Sequence, residues 1–313
     1  MDGPTMHFGI APCKVNEIRR RTEVSRYQHC GPCSCCCYAA VCKQTHPDRT
    51  ALLNSRYKLD YNTGHIITAK NAQRDSKGMF VVPENVEVES MRHIVVYDSD
   101  TSSLKDLGEA VRCAEVLAKV SLYPVFVVRG GYQKFSALYP FFRSFKIMYT
   151  IMELDNFEPY PVEIVVGLLY MADHNQARSP RMCEDLKISA MLNVSSTALD
   201  CETANHPILD VCLADSVTAD LFSSLKRICV FIGSHVKKGS PVMVTSTHGI
   251  SRCSAATIAF LMHHFKYTLE DAWKYLKKCK SNMRPNRGFV QQLSDWELHT
   301  TGQRSTDISE PNF

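Results

Sequence analysis

No stretch of the 313-residue chain approaches the roughly 20 consecutive apolar residues that a membrane-spanning helix requires. Charge of one sign is equally scarce. The balance of 36 Lys and Arg against 32 Asp and Glu leaves +4, too mild to demand nucleic acid or an anionic membrane as partner. Met1-Asp2-Gly3-Pro4 lacks the charged-then-apolar layout of a secretory signal, so the 14 cysteines are expected to be reduced thiols in an intracellular protein. Arg19-Arg20-Arg21 is too short for a basic tract and reads as a solvated face, and Glu17 and Glu23 dilute any transit-peptide reading. Clean zinc spacing is also wanting. In the cluster Cys30, Cys33, Cys35, Cys36, Cys37 and Cys42 only the first two are spaced as a knuckle, whereas zinc prefers two separated Cys/His pairs. The cluster reads as an irregular thiol-bearing segment. Metal or redox binding is one alternative, and acylation, for which no anchor sequence stands alongside, is another.

What is present fits a soluble α/β protein of two domains: 45% hydrophobic and 22% charged residues suffice for two real cores at this length. Residues 1–50 yield no element. From 51 to 150, Ala51-Leu52-Leu53, Ile94-Val95-Val96-Tyr97 and Pro124-Val125-Phe126-Val127-Val128 read as buried strands. Leu104, Leu107, Val111, Ala114 and Leu117-Ala118 mark one face of a helix. Residues 151–162, with Pro159 and Pro161, predict a linker without helix or sheet. In the second half, strands are expected at Glu163–Tyr170, Ile188–Ser195, Leu209–Leu213 and Val242–Val244. Leu221, Leu225, Ile228, Cys229 and Ile232 form the apolar face of a helix stopped near Gly239, and Thr268 caps a helix whose Leu269, Ala272, Trp273 and Leu276 face the core. Residues 303–313 predict a loose tail.

One stretch organises the second half. Val242-Met243-Val244 is a strand, Thr245-Ser246-Thr247-His248-Gly249-Ile250-Ser251 a short loop, and the Ala-rich run after Arg252 a helix. A strand, a tight loop and a helix N-terminus converge unpaired N–H groups and a positive dipole end on one point, which suits a phosphate-like dianion. Arg252, six residues after Ser246, adds a bidentate fork. The expected phosphate-binding residues are therefore Thr247, His248, Gly249, Ile250, Ser251 and Arg252.

This stretch resembles the signature of the cysteine-dependent tyrosine and dual-specificity phosphatases, in which a strand is followed by His-Cys, five residues, Arg and a helix. In that family the Cys thiolate attacks phosphorus. Here Ser246 stands at the Cys position and Thr245 at the His position; Gly249, Ser251 and Arg252 match, and Cys253 replaces a hydroxyl that assists turnover. Asp215 falls at the family's general-acid position, and Pro285-Asn286-Arg287-Gly288-Phe289 resembles its Pro-Asn-x-x-Phe turn before the last helix, which contains Gln292, Leu293 and Trp296. The substitution decides the chemistry. A thiol at such a helix terminus ionises with a pKa lowered to roughly 3.5–7.5, whereas a serine hydroxyl needs a neighbouring base. Thr245 is no base. His248 is the nearby one, in a loop whose side chains mostly point outward.

The first half is similar to rhodanese-like domains. Leu52-Leu53-Asn54-Ser55-Arg56 stands at their Leu-Asp-x-Arg strand end, Gly64-His65-Ile66 at their Gly-His-Ile turn, and Gly130-Gly131-Tyr132-Gln133-Lys134-Phe135 at their Gly-Gly-Phe/Tyr-x-x-Phe stretch. Asp98 occupies the position of the sulfur-carrying Cys, and an aspartate cannot hold a persulfide. The resemblance thus implies a rhodanese-like domain at 51–150, then a dual-specificity-phosphatase-like domain at 158–302 without catalytic function. The order resembles the mitogen-activated-kinase phosphatases, whose first domain docks kinases through a tight Arg cluster; here only the scattered Lys70, Arg74 and Lys77 stand there, as on an ordinary solvated face. It is also similar to pseudophosphatases carrying Ser at the Cys position. That likeness implies no cofactor and a role in the mitochondrion and/or cytoplasm. Its partners would be phosphorylated proteins, a mitochondrial dual-specificity phosphatase whose inhibition favours apoptosis, and a stress-granule RNA-associated protein. The alternative is a weak phosphatase using Ser246, Cys253 or a water. A sulfurtransferase is excluded by Asp98: thiosulfate:cyanide sulfurtransfer is expected to stay at the no-protein background, and activity above it that disappears in Asp98→Ala would overturn this.

Overall fold

Short runs of aliphatic and β-branched residues, buried on both faces, build two mostly parallel sheets, as runs without polar alternation do. The structure, a computed structural model, describes residues 27–30, 50–83, 86–105, 107–199, 206–309 and 313. The fold is α/β throughout, with one five-stranded sheet and its helices in each half. In chain order the first half comprises β1 (Tyr27–Cys30), β2 (Thr50–Asn54), α1 (Lys58–Asn62), β3 (His65–Ile66), β4 (Lys70–Asn71) and β5 (His93–Tyr97). It continues with α2 (Glu109–Ala118), β6 (Val125–Val128), α3 (Gly131–Leu138) and β7 (Arg143–Ser144). The strand order is β1-β6-β5-β2-β4, with all neighbours parallel, while β3 and β7 form an antiparallel pair. β1 lies in the segment that yields no element from sequence; Cys33, Cys35, Cys36, Cys37 and Cys42 of the cysteine cluster fall outside the described residues.

The predicted strands appear at their expected places, but the helix expected from Leu104 begins only at Glu109 and leaves Leu107 exposed. Asp98 is the reason. Its Oδ2 accepts the Ala110 amide at 3.0 Å and the Thr101 hydroxyl, so this carboxylate, reached from the end of β5, caps the helix in place of a local residue. Arg74 also departs from a solvated face. Its guanidinium pairs with Glu109, donates to the Ser55 carbonyl at 2.9 Å and stacks on Tyr57 and Phe80.

Residues 151–162 are less bare than the prolines suggest. Thr150 and Glu153 form a capping box that starts α4 (Ile151–Asp155) ahead of Pro159. The second sheet follows: β8 (Val162–Val165), β9 (Leu169–Ala172), α5 (His174–Arg178), α6 (Pro180–Asp185), β10 (Ala190–Ser195) and β11 (Ile208–Cys212). Then come α7 (Phe222–Lys237), β12 (Val242–Thr245), α8 (Arg252–Phe265), α9 (Leu269–Cys279) and α10 (Arg287–Thr301). The order β11-β10-β12-β9-β8 is parallel except at the β8 edge. The expected apolar faces of α7 and α9 are buried, and Thr268 caps α9 through the Asp271 amide at 3.1 Å.

The sheets meet across one apolar cluster that holds Leu52, Tyr97 and Phe135 from the first half with Tyr170, Met191 and Met243 from the second. Phe141 and Phe142 pack on Tyr160 at centroid distances of 4.9 and 5.0 Å. At its edge the buried Glu163 takes hydrogen bonds from Tyr139 (2.6 Å), the Gly167 amide (2.8 Å) and Tyr170 (3.2 Å). Burial pushes the Glu163 carboxyl up, and these donors oppose the shift.

The tail is not loose over residues 303–309. Glu297, fully buried, accepts the amides of Leu269, Ser305 and Thr306 and the Thr306 hydroxyl, at 2.8 to 3.1 Å. One carboxylate thus caps α9 and pins the segment after α10. Glu297→Ala is expected to lower stability by about 3 kcal/mol in urea unfolding, since it strands buried donors, and to free the tail to protease. A loss under about 1 kcal/mol would mean that the tail contributes nothing to the core.

Candidate anion-binding site

β12 is central, hydrogen-bonded to β10 on one side and β9 on the other, so its carboxyl end opens where open α/β sheets place ligands. Thr245 is its last residue and is fully buried, with its hydroxyl unpaired. Ser246 follows and is buried at 2% exposure, while Thr247 and His248 are exposed. The loop folds back on itself through the Gly249 amide on the Ser246 carbonyl at 3.1 Å. Gly249 has φ +65°, and a Cβ there would stand 3.1 Å from the Ala172 carbonyl and the Asp173 nitrogen. Only glycine lets the loop lie this close to the end of β9.

Among the described residues, no protein acceptor takes the amides of Thr247, His248, Ile250, Ser251 or Arg252. Ser251 stands at the N-cap of α8 but offers its own first turn no side-chain hydrogen bond, because its hydroxyl donates to Asp215 Oδ1 at 2.7 Å. Orphan amides at a helix start, with no cap of their own, are what an anion satisfies.

Arg252 is buried and braced. Nη1 donates to the Leu213 carbonyl at 2.9 Å and Nη2 to the Thr247 hydroxyl at 3.0 Å. Its Nε is buried without a hydrogen bond and lies 3.7 Å from Asp215 Oδ2. Asp215 also accepts Asn286 Nδ2 at 2.8 Å, and the Asn286 oxygen caps α10 through the Phe289 amide at 3.0 Å. The structure therefore brings together Ser246, Thr247, Ser251, Arg252 and Asp215 around one loop, with His248 at its exposed tip. The sequence reading missed Asn286 and the Leu213 carbonyl as parts of this site; the Asn cap inside the Pro-Asn turn is the signal that could have pointed to the first.

Two groups weighed as nucleophile or base stand badly for it. Cys253 is fully buried, and burial pushes its thiol up against a hydrogen bond from Ser246 and the charge of Lys280, so it is not pre-ionised. His248 makes no hydrogen bond to Ser246. In the first half, Asp98 is fully engaged by neighbouring donors. Its Oδ1 accepts the amides of Thr101 (2.9 Å) and Asp100 (3.2 Å), and its carbonyl takes the Tyr132 amide at 2.7 Å. The Ser99 carbonyl takes the Gln133 amide at 2.9 Å, so protein oxygens already fill the N-terminus of α3. Gly131, at φ +53°, allows this contact, since its Cβ would come 2.5 to 2.6 Å from that backbone.

Residues 169–299 match the family model "Dual specificity phosphatase, catalytic domain", and residues 39–138 match "Rhodanese-like domain". The chain joins a rhodanese-like domain to a dual-specificity-phosphatase-like domain and is homologous to the rhodanese-domain dual-specificity phosphatases. A probable rhodanese domain-containing dual specificity protein phosphatase of Dictyostelium discoideum is 27% identical over 209 residues, 65% of this chain and 44% of that one. Human dual specificity protein phosphatase 5 is 36% identical over 138 residues, 44% of this chain and 35% of that one. The chain therefore spans less than half the length of either relative. The crystal structure of a point variant of human DUSP28 is 26% identical, covering 46% of this chain and 99% of that one at a TM-score of 0.45.

Arg252→Ala is expected to weaken tungstate binding about tenfold or more by calorimetry, since a charge-assisted hydrogen bond is worth ~1.5–3 kcal/mol. Arg252→Lys should recover only part, because it restores charge without the fork. Equal affinities in all three proteins would remove Arg252 from the site.

Proposed function

We propose that this protein is a catalytically inactive phosphatase, of the serine/threonine/tyrosine-interacting-like kind, that uses its degenerate loop to hold phosphorylated partners or to regulate active phosphatases. The observation that carries the reading is the pairing of unfilled loop amides and a braced Arg252 with a Ser246 that no base contacts. Donors for a dianion remain, and the means to ionise the nucleophile do not. The proposal extends, on the resemblance to pseudophosphatases, to association with a mitochondrial dual-specificity phosphatase, favouring apoptosis. It extends likewise to association with a stress-granule RNA-associated protein, limiting granule assembly, and to residence in the mitochondrion and/or cytoplasm.

A second reading, weak dual-specificity phosphatase activity, is favoured by Asp215 lying beside Arg252 and Ser251 as an acid for a leaving group would. Turnover of an aryl phosphate by the unmodified protein separates the two: none is expected, and hydrolysis abolished by Ser246→Ala would establish the second.

Thr245→His with Ser246→Cys is expected to create phosphatase chemistry. The thiol would meet the helix terminus that lowers its pKa, and Arg252 and Asp215 are already in place. Because Cys253 stands where a hydroxyl assists turnover, stopped-flow hydrolysis should show a burst of one product per site and then a slow phase, faster with Cys253→Ser. A folded double variant without a burst would mean that the loop has left catalytic geometry.

A further inference from the structure

We propose that the cleft between α9 and the segment after α10 docks an acidic segment of a partner protein that presents an aromatic side chain, and that Phe313 covers the cleft's apolar wall until such a partner displaces it. The inference goes beyond the proposed function and uses none of the loop's residues. The cleft holds about 770 Å³ and opens to solvent, with Trp273, Lys274, Lys277 and Lys278 of α9 on one side and Asp307 and Phe313 on the other. That volume lies in the range of ligand-sized clefts, ~300–1,000 Å³.

The two sides are held very differently. α9 is packed on the core through Leu269, Ala272 and Leu276, all fully buried. The opposite segment is fixed as far as Ile308. Glu297 takes the Ser305 and Thr306 amides, Thr306 accepts the Glu270 amide at 3.1 Å, and the Ile308 carbonyl accepts Arg287 Nη1 at 3.2 Å. Among the described residues no hydrogen bond or ion pair holds Phe313. Its half-buried ring rests on Trp273 at a centroid distance of 4.9 Å and a tilt of 41°. The ring stands in the wall of the cleft and does not fill it.

That seated ring shows what the wall takes: an aromatic face, the usual anchor of a protein interface. Charge sets the flanks. Lys277 and Lys278 are exposed and make no hydrogen bond or ion pair among the described residues, whereas Lys274 pairs with Glu270. The covering segment is complementary in sequence, with acids at 307 and 310 ahead of Phe313. Phe313 lies five residues beyond the fixed Ile308, a tether of at most ~18 Å. The ring therefore covers the wall at an effective concentration on the order of millimolar, which a partner must outcompete.

Tryptophan fluorescence of the full chain tests this, because Trp273 and the buried Trp296 are its two tryptophans. The probe is a synthetic amidated peptide with the sequence of residues 307–313. Phe313→Ala is expected to red-shift the emission with an unchanged melting temperature. The peptide should reverse that shift saturably, and a peptide with Ala in place of Phe should not. The unmodified chain should bind the peptide about tenfold more weakly than the variant does. Lys277→Glu with Lys278→Glu, added to the variant, should weaken binding about fivefold at low salt, and the difference should shrink in high salt. No reversal by the peptide, or a Phe313→Ala variant that fails to fold, overturns the docking site. Equal affinity of the two chains, or an unshifted emission in the variant, overturns the covering role of Phe313. Indifference to the lysine reversals overturns the preference for acids.

Discussion

The candidate site depends on where β12 lies. Hydrogen-bonded on both edges and buried on both faces, this strand can neither slide nor tilt without breaking two ladders and exposing Val242, Met243 and Val244. Its last residue is therefore held firmly at the carboxyl edge of the sheet. From there the chain must turn back at once into α8, whose own small residues, Ala255, Ala256 and Ala259, let it pack closely on the sheet. The narrow space between strand end and helix start is what strips the loop amides of partners. Gly249, tight against β9, holds the turn in that form.

Around this fixed loop the polar groups form a brace. Arg252 ties Leu213 to Thr247, Asp215 ties Ser251 to Asn286, and Asn286 starts α10. These contacts join segments around residues 213–215, 247–252 and 286–289, so the site is held by residues widely separated in sequence. None of these contacts runs through the Ser246 hydroxyl.

Much of this was legible in the residues. Strands such as Ile94–Tyr97 and Val242–Val244 announce themselves because parallel strands buried on both faces are uninterrupted apolar runs. The strand–loop–helix that gathers Ser246, Gly249 and Arg252 was readable for the same reason. What escaped was held by partners remote in sequence. Nothing near Glu109 says that a carboxylate from the end of β5 will start its helix. Nothing near Ser305 says that Glu297, itself on a helix face, will be buried to receive it. The Leu104 and Leu107 positions fit a helical face by spacing, yet the Asp98 cap sets the first turn later. Solvation was misjudged at Arg74 because its acid, Glu109, stands on the next helix.

The contact between the two sheets has a consequence for how the protein can be handled as parts. Across the junction Phe141 stacks on Tyr160 and Phe142 meets it edge-on, and Tyr139 reaches from the first half to the buried Glu163 of the second. A fragment beginning near residue 158 would carry Tyr170 and Met191 uncovered at its back and a carboxylate missing its shortest donor. Such a fragment has every reason to stick to itself, and its self-association would report the cut rather than the biology.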